Sequence, residues 1–166
     1  MQIELDLGFK WSIRVIPLTS LLHRSLYGAS SERRPGMNFS NLVGKTVLVI
    51  EDDYHQAREV AQALETQGIH VVGPYPTVHE GLEAARGAVL DAAVLDIRLR
   101  SDDSFPLADE LLAQKVPIMF VTGYDTNVIP ARFKDLPRLV KPLEGARLPL
   151  VLSLTMATTG GRPLQA

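Results

Sequence analysis

The chain has 166 residues, 46% of them hydrophobic and 22% charged, with 11 prolines, 12 glycines, no cysteine and a formal net charge of -2. That length and apolar content suit one domain with a real core and exclude a disordered, collagenous or coiled-coil chain. The charge balance offers no basic excess to nucleic acid, and the lack of cysteine excludes disulfides, thiolate metal sites and a thiol nucleophile.

No apolar run reaches the roughly 20 residues of a spanning helix. Glu4 and Asp6 stand where a signal peptide carries positive charge, and Arg33-Arg34 is followed by Pro35-Gly36 rather than by an apolar stretch. A cytoplasmic protein is expected, with neither nucleic acid nor membrane as partner.

Residues 1–44 are expected to be an N-terminal extension, either flexible or read from a start codon upstream of Met37. Within it Phe9, Trp11, Ile13 and Val15 alternate with Lys10, Ser12 and Arg14, a strand-like pattern with no partner in the sequence. Regular alternation of apolar runs and helical stripes begins at Lys45. Thr46 to Ile50 reads as a strand buried on both faces. Asp53 suits the N-cap of a helix carrying Ala57, Val60, Ala61 and Leu64, with Gly68 as its stop. Ile69 to Val72 is a second strand. Thr77 and Glu80 form a capping box ahead of Val78, Leu82 and Ala85.

Ala92 to Leu95 is the third strand, and Pro106 opens a helix through Leu107, Leu111 and Leu112. Pro117 to Val121 gives the fourth strand. Asp125 to Lys134 reads as a weak helix interrupted by Pro130, Leu139-Val140 as a short fifth strand, and a last helix starts near Glu144. Strand–helix alternation of this kind predicts an α/β fold, a doubly wound parallel sheet with right-handed crossovers. The domain is expected over 45–158, with 159–166 a disordered tail.

Ligands of open α/β sheets bind beyond the carboxyl ends of the strands. Those ends read Glu51-Asp52-Asp53, Gly73-Pro74, Asp96, Thr122-Gly123 and Lys141-Pro142. The second offers no chemistry. The other four bring carboxylates, a hydroxyl and an amine to one edge. Carboxylates crowded together repel unless a cation sits among them or one is protonated. An all-oxygen set without histidine or cysteine favours a hard ion such as Mg²⁺. A lysine and a hydroxyl beside that ion can hold a transferred phosphoryl group, which a central aspartate can accept as nucleophile. His23, His55, His70 and His79 share no helical or strand spacing, and of these only His55 falls near the acidic cluster.

The ordered motifs VLVIEDD, AVLDIRL, FVTGY and LVKPL resemble the receiver domain of two-component response regulators, especially small stand-alone receivers with a Phe-Ala-Thr-Gly signature, here Phe120 to Gly123. Ser104 to Asp109 resembles the same subgroup. The resemblance implies a flavodoxin-like five-stranded sheet of order 2-1-3-4-5 with helices on both faces. It implies Asp96 as phosphoacceptor, Asp52 as a direct Mg²⁺ ligand, Glu51 acting through water, and the Arg98 backbone carbonyl completing the metal ligands. Asp53 remains chiefly an N-cap. Thr122 is to bond a phosphoryl oxygen, and Lys141 to pair first with Asp96 and then with its phosphate. A cis Lys141-Pro142 bond is a further implication.

Two departures stand out: Arg138 replaces the usual aromatic three residues before the lysine, which puts the usual switch in question, and Leu143 replaces the usual Phe after Lys-Pro. The function implied is a phosphorylation switch fed by a sensor histidine kinase or phosphotransfer protein. Its output is a protein–protein contact at the face of the fourth helix, fifth strand and fifth helix, or phosphate shuttling. It is a signalling domain rather than an enzyme, with weak self-dephosphorylation slowed by the bulk of Arg98 and Tyr124.

The alternatives are a receiver-like module that binds without phosphorylation and an aspartyl-phosphate phosphatase. The latter generally has a second aspartate two residues after the nucleophile, where Arg98 stands here. Removal of residues 1–36 is expected to change stability by less than about 1 kcal/mol. Comparison of the two chains by thermal denaturation checks this, and a larger loss would show that the Phe9–Val15 stripe packs on the domain.

Overall fold

The computed structural model describes residues 39–100, 102–123, 129–143 and 147–160. The Phe9–Val15 stripe, His23, Tyr124 and Glu144 lie outside the described residues. Among the described residues, five strands, β1 (Thr46–Ile50), β2 (His70–Tyr75), β3 (Ala92–Asp96), β4 (Ile118–Thr122) and β5 (Arg138–Val140), alternate with four α-helices, α1 (Tyr54–Glu65), α2 (Val78–Gly87), α3 (Phe105–Ala113) and α4 (Arg147–Gly160). All strand pairs are parallel and the order is β2-β1-β3-β4-β5, as the resemblance implied.

The continuous apolar strands follow from burial on both faces. Leu48, Ile50, Ala93, Leu95, Ile118 and Phe120 pack with Ala85 of α2 and Leu107 and Leu111 of α3. Their neighbours Val47, Val49, Ala92, Val94, Met119 and Val121 face Val60 and Leu64 of α1 and Leu148 and Leu152 of α4. Alternation within β1, β3 and β4 therefore splits the apolar residues between two cores rather than between core and solvent. Leu42, ahead of β1, is fully buried in the second core, where a turn through Ser40–Gly44 delivers it.

Local signals set the helix starts. Asp53 caps α1, its Oδ1 accepting from the backbone N–H groups of His55 and Gln56, both at 3.0 Å. Thr77 caps α2 by accepting from Glu80 N–H at 3.2 Å, while its hydroxyl donates to the Glu80 carboxylate at 2.7 Å. Pro106 sits in the first turn of α3.

Two expectations need correction. The second strand does not end at Gly73-Pro74 but runs on to Tyr75, across an irregularity between Leu48 and Ile50 of β1. Gly73 has φ of +101°, and a Cβ there would lie 2.8 Å from the Val49 carbonyl oxygen, so only glycine lets the strand continue this close to β1. The expected helix over Asp125–Lys134 is, in its described part, a single 3-10 turn, Ala131–Phe133, starting after Pro130. Pro130 supplies no backbone donor, and the apolar content of the segment goes into one anchor, the buried Phe133.

Phe133 lies 5.4 Å from the Phe105 ring in a stack and 5.7 Å from the Phe120 ring edge-on. Arg132 lies over Phe133 and forks onto the Asp109 carboxylate at 3.0 and 2.9 Å, tying this turn to α3.

The start of β1 is held by Asp91, whose two oxygens accept from Lys45 Nζ at 2.8 Å and Thr46 N–H at 2.9 Å. The Lys45 hydrogen bond, followed by that of Thr46, holds the Asp91 carboxyl below the ordinary aspartate value of 3.8. Its stabilisation is therefore complete above that value and is lost as pH falls through the lower folded-state value. Asp91→Asn is expected to cost about 0.5–1 kcal/mol at neutral pH, discounted for partial exposure. Urea denaturation of the two proteins should converge as pH is lowered below the ordinary aspartate range. A gap that does not change with pH would contradict the charge-assisted clamp.

Candidate functional site

Four neighbouring parallel strands end at one edge of the sheet, and each delivers a polar group there. Glu51 and Asp52 follow β1, Asp96 closes β3, Thr122 closes β4 and Lys141 follows β5. Glu51, Asp96 and Thr122 are buried. The Lys141 ammonium donates to Glu51 Oε2 and to Asp96 Oδ2, each at 2.6 Å.

The backbone fixes each of these groups. Glu51 N–H donates to the Tyr75 carbonyl at 3.0 Å, so the extended end of β2, expected to carry nothing, orients the first carboxylate. Glu51 Oε1 accepts from Asp53 N–H at 3.1 Å, and Asp96 Oδ1 from Arg98 N–H at 3.3 Å. Lys141 N–H donates to the Thr122 carbonyl at 2.8 Å, which aims the lysine back over the end of β4. The Lys141-Pro142 bond is cis, as implied.

Electrostatics at this edge are those of charges removed from water. Burial pushes Glu51 above the usual glutamate value; the Lys141 hydrogen bond pulls the other way, and nearby Asp96 adds to the rise. Burial also works against the Lys141 ammonium, but hydrogen bonds to Asp96 and Glu51 outweigh it and hold that pKa above the ordinary lysine value.

Oxygens of Glu51, Asp52 and Asp96 all lie within 4.8 Å of one another, close enough to share one ion. The donor set, oxygen throughout, fits a hard divalent cation. Around Arg98 the loop folds back in an antiparallel bridge to Asp103, with Leu99 N–H on the Asp102 carbonyl and Ser104 N–H on the Ile97 carbonyl. These bonds fix the backbone at Arg98, whose side chain is exposed.

The other residues singled out in the sequence stand apart. The exposed His55 packs its ring edge-on against Tyr54 in the first turn of α1, and His79 pairs with Glu83 at 3.6 Å on α2. Leu143 packs against the second core. Arg138 does not bury its guanidinium; Nη1 donates to the Lys134 carbonyl at 2.8 Å, at the end of the 3-10 turn. The buried aromatic of that region is Phe133 instead. One residue at the site was not foreseen. Arg100 donates its backbone N–H to Asp52 Oδ2 at 3.0 Å and places its Nε 3.3 Å from the same oxygen. A loop arginine four residues past Asp96 carries no periodic or capping signal that would have marked it.

The family model for the response regulator receiver domain matches residues 47–148. The chain belongs to that family. This receiver is 32% identical over 106 residues to a sensory transduction protein LytT of Bacillus cereus, covering 61% of the chain and 43% of LytT. It is 26% identical over 104 residues to the transcriptional regulatory protein PdtaR of Mycobacterium tuberculosis, covering 60% and 51%. The chain thus spans about half or less of the length of these curated relatives. Among solved structures, SdrG of Sphingomonas melonis matches with a TM-score of 0.59 at 28% identity, covering 72% of this chain and 98% of that one. The receiver domain of Erythrobacter litoralis PhyR matches in fold, with a TM-score of 0.66 at 18% identity over 75% of this chain and 99% of that one.

The receiver's buried ion pairs yield a stability test. Lys141→Met leaves Glu51 and Asp96 facing each other without a counter-charge, which is expected to cost about 3–5 kcal/mol near pH 8. Protonating a carboxyl relieves the repulsion, so the cost should shrink toward pH 5. Urea unfolding at the two pH values checks this; a cost independent of pH would show that the ammonium is not what holds the carboxylates together.

Proposed function

We propose that Asp96 is the phosphoacceptor of this receiver. The observation that carries the proposal is the Lys141 ammonium, shared at 2.6 Å between Asp96 and Glu51 within a three-carboxylate group at the carboxyl edge of the sheet. Asp96 offers a carboxylate oxygen as nucleophile, and the neighbouring lysine holds its Oδ2 at 2.6 Å. Attack on phosphorus forms the acyl phosphate as the bond from phosphorus to the donor breaks, its electron pair leaving with the donor. With a histidine kinase or phosphotransfer protein as donor, the leaving group is an imidazole.

Glu51, Asp52, Asp96 and the Arg98 backbone carbonyl would hold Mg²⁺, which when bound offsets the negative charge of the phosphoryl oxygens. Lys141 then exchanges one Asp96 oxygen for a phosphoryl oxygen, and the Thr122 hydroxyl donates to another. Arg98, exposed beside the phosphoacceptor, shields the approach of hydrolytic water and makes self-dephosphorylation slow.

The output is a protein contact through the face of the 129–134 segment, β5 and α4. Val140, Leu150 and Leu154 expose apolar surface there. The surroundings are cytoplasmic; among the described residues no helix is long and apolar enough to cross a membrane. A phosphorylation-independent module or a phosphatase accounts less well for a lysine bridging two buried carboxylates.

Incubation with a small phosphodonor such as acetyl phosphate and Mg²⁺ should give an acid-stable, base-labile adduct. Asp96→Asn should reduce it to background with the fold intact, and excess chelator should do the same to the unaltered protein. Undiminished labelling of Asp96→Asn would move the phosphoacceptor elsewhere, with Asp52 the first suspect.

A further inference from the structure

Asp52 is the most accessible of the three clustered carboxylates, its side chain 14% exposed, and it already has a cationic neighbour. Arg100 approaches it twice. The backbone N–H lies 3.0 Å and the guanidinium Nε 3.3 Å from the one oxygen, Asp52 Oδ2. The backbone bond keeps residue 100 beside Asp52 whatever its side chain does. The guanidinium is thus a tethered cation rather than one arriving from solvent. Its side chain is 82% exposed, so nothing packed around it fixes it in this position.

We propose that Arg100 is an internal competitor for the metal site: its guanidinium stands in for the divalent ion at Asp52 and must turn away when the ion binds. The proposal rests on the metal-site reading above and adds to it a residue that sets how tightly the site takes its ion. Two positive charges on one carboxylate repel each other, and an exposed arginine loses little by releasing a single oxygen. There is space for the release. Arg100 lies on the wall of an open cavity of about 770 Å³, between α2 and the loop after β3, whose wall also carries Asp102 and Asp103. A guanidinium leaving Asp52 therefore has the carboxylates of Asp102 and Asp103 on the wall of the same cavity. The backbone N–H stays on Asp52 throughout, so the carboxylate keeps its orientation while the competing charge departs.

The consequence is a metal affinity weaker than the three carboxylates alone would give, restored by removing the charge at position 100. Isothermal titration with Mg²⁺ alone, on the full chain at low ionic strength, tests this. Arg100→Gln should bind Mg²⁺ about fivefold more tightly, the upper end for an exposed ion pair. Arg100→Lys, which keeps the charge, should stay within about twofold of the unaltered protein, and the gain in Arg100→Gln should fade near 1 M salt. Equal dissociation constants for Arg100→Gln and the unaltered protein would overturn the competition. Weaker binding by Arg100→Gln would overturn it as well, showing that the guanidinium orients Asp52 for the ion. Lack of saturable binding by the unaltered protein would remove the metal site itself and the competition with it. Matching thermal midpoints of the metal-free proteins keep a folding defect from mimicking any of these results.

Discussion

A single ammonium between two buried carboxylates sets the terms for the rest of the molecule. Glu51 and Asp96 are 4% and 6% exposed, and two such charges cannot share a dry edge without a cation between them. Lys141 supplies it, from a strand that is not a neighbour of either acid. The order β2-β1-β3-β4-β5 places Glu51 and Asp96 on adjacent strands and leaves β5 at the sheet edge beyond β4. The lysine has to reach back over the end of β4, and its N–H bond to the Thr122 carbonyl makes it do so. Strand order, the end of β4 and the turn after β5 are thus all requirements of one ion-pair triangle.

The apolar scaffold makes that triangle rigid. Each central strand sends alternate residues into two cores, so the carboxyl ends of β1, β3 and β4 are anchored from both faces. Around β4 the anchoring is aromatic: Phe105, Phe120 and Phe133 form a closed three-ring cluster, and the Arg132–Asp109 fork fastens the 3-10 turn to α3. Arg138, which in sequence puts an aromatic switch in question, points its guanidinium to the Lys134 carbonyl. β5 itself, Arg138–Val140, carries no aromatic, and Arg138 is in register with Phe120 of β4.

What was legible in the sequence was what simple patterns encode. Continuous runs such as Thr46–Ile50 and Ala92–Leu95 gave the buried parallel strands, and Asp53, Thr77 and Pro106 marked helix starts that the structure keeps. The residues gathered at the site, Glu51, Asp52, Asp96, Thr122 and Lys141, followed from reading strand ends together. Features hidden from the sequence depend on contacts distant along the chain. Gly73-Pro74 looked like a stop, yet a close approach to Val49 lets β2 continue to Tyr75 and orient Glu51. The segment before β5 had helical content, but Pro130 and the demand for one buried ring at Phe133 reduce its described part to a 3-10 turn. Arg100 carried no signal because its role arises only once the loop after β3 folds against Asp52.

The central claim is that the carboxylate beside Lys141 on β3, and no other at this edge, forms the acyl phosphate. Borohydride reduces an acyl phosphate to an alcohol and leaves free carboxylates alone, so a phosphorylated aspartate becomes homoserine and stays marked through proteolysis. Mass spectrometry of the reduced, digested protein should find homoserine at position 96, with Asp52 and Asp53 unchanged and Glu51 intact. Homoserine at 52 or 53, a reduced Glu51, or no reduced residue in a protein that has taken up phosphate would contradict the account.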